Sequence, residues 1–165
     1  MDTTGILILT TGGTIDKNYF DALSEYQIVE SGIPALLKEA RVALPFRVEE
    51  VCRKDSLELT DADRAEIARQ VAQAPETRIV VTHGTDTMTE TAKALAAIPG
   101  KTIVLTGALS PARFAETDAP FNLGMAVAAA QVAPPGVYIA MSGQVFDGLK
   151  VRKDRVAGRF VAIET

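Results

Sequence analysis

A chain of 165 residues is long enough to bury a substantial core within one ordinary domain. Hydrophobic residues make up 47% and charged residues 23%, with a formal net charge of −4, so neither disorder nor a basic surface for nucleic acid or anionic membrane fits. Cys52 and His83 are the only residues of their types, which excludes an intrachain disulfide, a cysteine-built or multi-histidine metal site, and a Ser–His triad elsewhere in the chain.

In chain order, the apolar run Ile6–Thr10 predicts a first strand, ended by Thr11-Gly12-Gly13-Thr14. A phosphate cradle there would need a Walker lysine or spaced dinucleotide glycines, and neither is present. The residues alone read as a tight turn with positive φ at a glycine, Thr14 bonding to backbone. The stretch Asp16–Tyr26 lacks helical periodicity and reads as a long loop, of the length that often serves as a lid. Ile33, Leu36, Leu37 and Ala40 follow the spacing of an amphipathic helix, and Phe46–Cys52 predicts the second strand, leading to Lys54-Asp55-Ser56. Ile67, Val71 and Ala74 mark a helix, and Arg78–Thr82 the third strand. After it comes Thr82-His83-Gly84-Thr85-Asp86-Thr87, in which Thr87 and Glu90 have capping-box spacing before a helix marked by Met88, Ala92 and Leu95. That assignment leaves Thr85 and Asp86 free for chemistry at a helix start, where backbone N–H groups attract a carboxylate or oxyanion. His83 reads as a hydrogen-bonded structural residue. Lys101–Thr106 is the fourth strand, followed by Thr106-Gly107-Ala108, then a helix marked by Phe121, Met125, Ala128 and Val132. Val137–Met141 is the fifth, followed by Ser142-Gly143-Gln144. Within Lys150–Arg155 a lysine near the rim could serve as base for a hydroxyl, but spacing does not say which. Arg155–Thr165 is either an edge strand or a segment packed on a neighbour.

Five strands alternate with four helices, which predicts an α/β fold, a doubly wound three-layer α/β/α domain around a mostly parallel sheet of five or more strands. Ligands in such folds bind beyond the carboxyl ends of the strands. All five predicted strands end in small, polar or hydroxyl-bearing residues, which together make a site.

These segments resemble the L-asparaginase family. The resemblance rests on Thr11-Gly12-Gly13-Thr14-Ile15 and on the long run Thr82 to Ala92, supported in order by Asp55-Ser56-Leu57-Glu58-Leu59-Thr60, Thr106-Gly107-Ala108, Pro120-Phe121-Asn122-Leu123, and Asp147-Gly148 with Lys153. It implies hydrolysis of L-asparagine to aspartate and ammonia through an acyl-enzyme, with Thr14 as nucleophile and Thr85, Lys153 and Asp86 as a second hydroxyl–lysine–carboxylate cluster. A threonine hydroxyl needs such a base to be nucleophilic. The substrate-binding residues implied are Gly13, Asp55, Ser56, Gly84, Thr85, Asp86 and Ala108: Ser56 for the α-carboxylate, Asp86 for the α-ammonium, and the Ala108 backbone near the leaving amide. The family's loop tyrosine has two candidates, Tyr19, which is favoured slightly, and Tyr26. No metal or cofactor is implied.

Three departures stand out. Longer members carry a C-terminal domain that completes the neighbouring subunit's site, so residues 1–165 are expected to form one N-terminal-type domain without a second. Leu57 occupies the place of a glutamine that contacts the substrate amine in secreted members. The Asp16–Tyr26 loop lacks the usual glycine and serine content. These features predict marked discrimination against glutamine and modest affinity for asparagine. A homo-oligomer, dimer or tetramer, is expected from the family's shared site, with no nucleic-acid or membrane partner. A cytoplasmic location is the default expectation, since the N-terminus lacks a basic region and its apolar run is too short for a signal peptide or membrane span. The rival readings are a non-catalytic amino-acid-binding or sensor domain and a component of a tRNA-dependent amidotransferase; nucleotide binding fails for want of a phosphate motif.

Overall fold

The computed structural model describes residues 4–164. Ten strands and four α-helices follow in the order β1 (Ile6–Gly12), β2 (Lys17–Phe20), β3 (Glu25–Ile28), α1 (Ile33–Glu39), β4 (Phe46–Lys54), α2 (Asp61–Gln73), β5 (Arg78–Thr82), α3 (Met88–Leu95), β6 (Thr102–Thr106), α4 (Ala119–Val132), β7 (Gly136–Met141), β8 (Gln144–Asp147), β9 (Val151–Asp154) and β10 (Arg159–Ala162). The central sheet has six strands in the order β4-β1-β5-β6-β7-β8. All its neighbours pair in parallel except β7 with β8. The chain thus leaves β1 toward β4 on one side and then crosses to β5 on the other. That reversal places the topological switch point between β1 and β5, where doubly wound folds bind ligands.

The inner parallel strands β1, β5 and β6 are buried on both faces, as continuous β-branched runs such as Ile79-Val80-Val81 require, while the edge strand β4 is half-buried to exposed. Leu7, Leu9, Ile79, Val81, Ile103 and Leu105 face the layer that includes Ile67 and Val71 of α2 and Met88, Ala92 and Leu95 of α3. Ile6, Ile8, Val80 and Val104 face the layer that includes Ile33 and Leu37 of α1 and Leu123 and Ala126 of α4. Among the described residues no helix is long and apolar enough to cross a membrane.

Four expectations need correction. Residues 17–28 are not an irregular loop: β2 and β3 pair antiparallel, with Tyr19 opposite Tyr26. Glu25-Tyr26-Gln27-Ile28 alternates polar with apolar residues as a strand does, but Lys17-Asn18-Tyr19-Phe20 does not, and the turn Asp21–Leu23 between them lacks glycine and closes on Ser24 in the left-handed region at φ 49°. In α4 the predicted face points outward, with Phe121 63% and Val132 83% exposed, while Ala119, Asn122, Leu123, Ala126, Ala129 and Ala130 are buried. Small residues lie close to the sheet there, so side-chain size is a poor guide to the core face of this helix. The Thr87–Glu90 capping box does not form, because the Thr87 hydroxyl donates to the Ser56 carbonyl at 2.7 Å. The tail joins no edge of the central sheet: β10 pairs antiparallel with β9 as a separate two-stranded sheet, and Thr165 lies outside the described residues. In smaller adjustments, the second predicted strand runs on to Lys54, and Lys101 precedes its strand, donating from its buried ammonium to the Ala74 and Glu76 carbonyls.

Candidate active site

The site is assembled by glycines at the switch point. Gly12 and Gly13 both have positive φ, 101° and 83°, which lets the chain turn sharply off β1. The Gly13 N–H then donates to the Lys54 carbonyl at 3.0 Å, tying this turn to the end of β4. A Cβ on Gly13 would collide with the Gly84 backbone, and a Cβ on Gly84 would stand 2.7 Å from the Ser56 Cβ. The ends of β1, β4 and β5 therefore meet at van der Waals distance, and only glycine permits it. Beneath them the Thr11 hydroxyl donates to the Thr82 carbonyl at 2.8 Å, stapling β1 to β5.

Thr14 follows Gly13 at the start of a single 3-10 turn, Thr14–Asp16, and is half-buried. Thr85 and Asp86 follow Gly84, also half-buried. Lys153, from β9, reaches them across the sequence: its Nζ donates to Thr85 Oγ1 at 2.7 Å and to Asp86 Oδ1 at 2.8 Å. The spacing in the basic run could not single it out; the hairpin β9–β10 does. The Lys153 ammonium holds the Asp86 carboxyl below its ordinary range, outweighing the opposing effect of burial.

Ser56 is 2% exposed, its carbonyl held by Thr87 and its side chain against Gly84. Asp55 caps the short turn Ser56–Glu58 by accepting from the Leu57 N–H at 3.0 Å. Leu57 itself is 65% exposed. Ala108 is buried behind Gly107, whose carbonyl accepts from Asn122 Nδ2 at 3.0 Å. Asn122 also accepts from the Ser142 N–H at 3.1 Å, so one α4 side chain joins the ends of β6 and β7.

His83 is fully buried, with Nδ1 2.6 Å from the Gly84 carbonyl and Nε2 2.7 Å from Thr91 Oγ1. Burial pushes its pKa down to about 4. The imidazole braces the rim from below, the structural role expected of it.

Of the residues singled out from sequence, Thr85, Asp86 and Lys153 form one bonded cluster, while Gly13, Gly84 and Ser56 form one packed contact. Tyr19 and Tyr26 are not in either: they face each other on the hairpin with ring centroids 5.0 Å apart, and Tyr26 lies 6.1 Å from Phe114. Among the described residues neither tyrosine hydroxyl hydrogen-bonds to Thr14. Two further neighbours carry no sequence signal. Lys17, at the root of the hairpin, lies 3.5 Å from Asp55 Oδ2. Asp16, two residues after Thr14, is buried with its carboxylate bonded to Ser31. Neither stands out by spacing, because both belong to a segment whose strand pairing is not evident from its residues.

The switch point of this parallel α/β sheet thus carries a hydroxyl-bearing rim, in which Thr14 and Thr85 each follow a closely packed glycine and the half-buried Lys153 bonds to the second. The family model described as Asparaginase, N-terminal matches residues 5–162, and the chain belongs to that family. It is 33% identical over 158 residues to an L-asparaginase of Thermococcus kodakarensis, covering 90% of this chain and 47% of that protein. It is 37% identical over 184 residues to a component of the glutamyl-tRNA(Gln) amidotransferase of Pyrobaculum aerophilum, covering 97% of this chain and 42% of the other. The crystal structure of L-asparaginase I from Vibrio cholerae superposes with a TM-score of 0.84 at 27% identity, covering 98% of this chain and 52% of that one. The chain thus spans about half the length of the relatives it matches.

Proposed function

We propose that this chain hydrolyses the side-chain amide of L-asparagine, giving L-aspartate and ammonia through a threonine-linked acyl-enzyme. The observation that carries the reading is Lys153 bridging Thr85 and Asp86 at 2.7 and 2.8 Å beside the Gly13–Gly84 contact that seats Thr14. A binding module has use for a carboxylate to meet an ammonium group but none for a lysine bonded to a hydroxyl. In the reaction, Thr14 Oγ attacks the amide carbon and passes its proton to a neighbouring base. The base is the Thr85–Lys153 pair, which accepts the proton once Lys153 is in its neutral amine form, or the hairpin tyrosine, Tyr19 or Tyr26, acting as phenolate. The oxyanion forms against backbone N–H groups of the rim, held rigid by the glycine contacts. The C–N bond breaks, the nitrogen takes up the proton and ammonia leaves. Water, activated by the same groups, then cleaves the threonyl ester. Ser56, within the Asp55–Leu57 turn, receives the α-carboxylate, Asp86 the α-ammonium, and the Ala108 backbone borders the leaving amide. The hairpin β2–β3 serves as lid.

The family's shared site supports a homo-oligomer. Asparagine is favoured over glutamine because one added methylene moves the amide away from both the nucleophile and the oxyanion donors, whereas crowding alone separates such substrates by only about 1–3 kcal/mol. The relation to the amidotransferase component supports a second reading, in which the amide cleaved is that of glutamine and the ammonia is passed on. Ammonia release from asparagine and from glutamine, measured with wild type and Thr14→Ala, tests both. Release from asparagine that is lost in the variant is expected. Equal release from both amides overturns the selectivity, preference for glutamine favours the second reading, and no release or an unimpaired variant overturns the nucleophile.

A further inference from the structure

The hairpin leaves the Thr14 turn and returns at a single junction. The Asp16 N–H donates to the Gly13 carbonyl at 3.1 Å, and its carbonyl accepts from the Val29 N–H at 3.0 Å. Its carboxylate accepts from Ser31 Oγ at 2.8 Å, and Ser31 Oγ accepts from the Ile33 N–H at 3.3 Å at the start of α1. Beside it, the Ala112 N–H donates to the Ile15 carbonyl at 3.0 Å, and Arg113 donates to the Glu30 carbonyl. One residue thus touches the turn that carries Thr14, the far end of the hairpin and the helix beyond it.

The carboxylate is poorly compensated for its place. Asp16 is 2% exposed, and among the described residues no cation lies within ion-pairing distance. The groups that face it are the Ser31 hydroxyl, the Gly32 N–H, the Arg113 guanidinium and the Glu50 carboxylate, with Arg53 of β4 also within its field. Burial dominates and pushes its pKa up to about 6. A neutral side chain of the same shape would fill this space at lower cost, because a buried charge with partial solvation is destabilising. Local choices that oppose stability concentrate at functional sites.

We propose that Asp16 is a positioning residue: through Ser31 and Val29 it fixes the angle at which the hairpin bearing Tyr19 and Tyr26 leaves the nucleophile turn. The proposal rests on the reading of Thr14 as nucleophile and of the hairpin as lid. The charge orients the Ser31 hydroxyl as a donor, and the backbone bonds of Asp16 carry that constraint to Gly13 and to β3. A lid residue misplaced by about 1 Å costs on the order of a hundredfold in rate.

Asp16→Asn and Ser31→Ala test this by ammonia release, thermal melting and amide hydrogen exchange. At pH 8 Asp16→Asn is expected to melt at or above the wild-type temperature, with the difference shrinking toward pH 4. Its kcat is expected to fall between about tenfold and a hundredfold. Amides of residues 17–28 should exchange faster in both variants while those of β1 and β5 stay unchanged. Wild-type kcat with unchanged exchange in the hairpin overturns the proposal, as does a loss of activity matched by a drop in melting temperature at pH 8. The exchange arm reads hairpin geometry without any substrate, so a wild type that releases no ammonia refutes the functional reading and leaves this one to its own measurement.

Discussion

Where Gly13, Gly84 and Ser56 meet, backbone packs on backbone and the surrounding residues are buried; twelve residues of hairpin beside them present Tyr19 at 42% and Tyr26 at 52% exposure. The rim hangs from the carboxyl ends of three adjacent strands of the central sheet, β4, β1 and β5, so its geometry is inherited from the sheet. The hairpin makes a two-stranded sheet of its own and is fastened through its root and an aromatic contact with Phe114. Chemistry that needs fixed distances belongs on the first, and access to it on the second.

The comparison breaks most visibly at Lys153. Replacing it by Met removes the side-chain bonds that join β9 to Thr85 and Asp86, and activity is expected to fall by about 10³-fold, within the range for losing an acid–base group. Freed of its partner, the Asp86 carboxyl should titrate closer to its ordinary range, which carbon-detected NMR reads directly. Activity within tenfold of wild type would mean that the rim cluster is structural.

The rim's dependence on His83 is read through pH. Its folded-state pKa is depressed to about 4 from 6.5, so the stability of the neutral form is fully present above pH 6.5 and lost as pH falls toward 4. The difference is worth on the order of 3 kcal/mol. Asp16, pushed up to about 6, works in the opposite sense between pH 4 and 6. Comparing His83→Gln with wild type by denaturant melts isolates the histidine: the variant should lose less stability from pH 7 to pH 4.5, and parallel curves would contradict the assignment.

A smaller effect separates two glycines. Gly84→Ala drives a methyl into Ser56 and is expected to cost about 1–3 kcal/mol, with activity lost as the rim loops part. Gly124→Ala, in α4 with nothing within 4 Å, should instead stabilise by up to about 1 kcal/mol. Equal melting temperatures for the two variants would contradict close rim packing.

Smallest is Phe114→Ala, which removes a ring pair worth about 1 kcal/mol. Several-fold faster amide exchange is expected in residues 17–28, with the melting temperature nearly unchanged. A global loss of stability would show that the hairpin belongs to the core after all.

The same contrast explains what is legible in the sequence. Ile79-Val80-Val81 and Ile103-Val104-Leu105 are buried on both faces, and continuous apolar, mostly β-branched runs announce that directly. The rim is legible because every predicted strand end shares one chemistry and the topology brings the ends together. What escapes lies where tertiary contacts override local signals. Thr87 has capping spacing, yet its hydroxyl is drawn to Ser56, which the chain brings near only after β4 and β5 pair around β1. The outer apolar stripe of α4 resembles a core face because, Leu123 and Asn122 apart, it is alanines that sit against the sheet. Lys153 is one of several basic residues until β9 places it, and Asp16 and Lys17 have no pattern while the hairpin that begins beside them is hidden.

The most direct test is to trap the reaction at its nucleophile. A diazoketone analogue of asparagine, incubated with the protein and followed by intact-mass and peptide mapping, should leave one adduct per chain on Thr14, absent from Thr14→Ala. An adduct on Thr85, or steady ammonia release from asparagine in the Thr14→Ala protein, would contradict the assignment of the switch-point threonine as the attacking group.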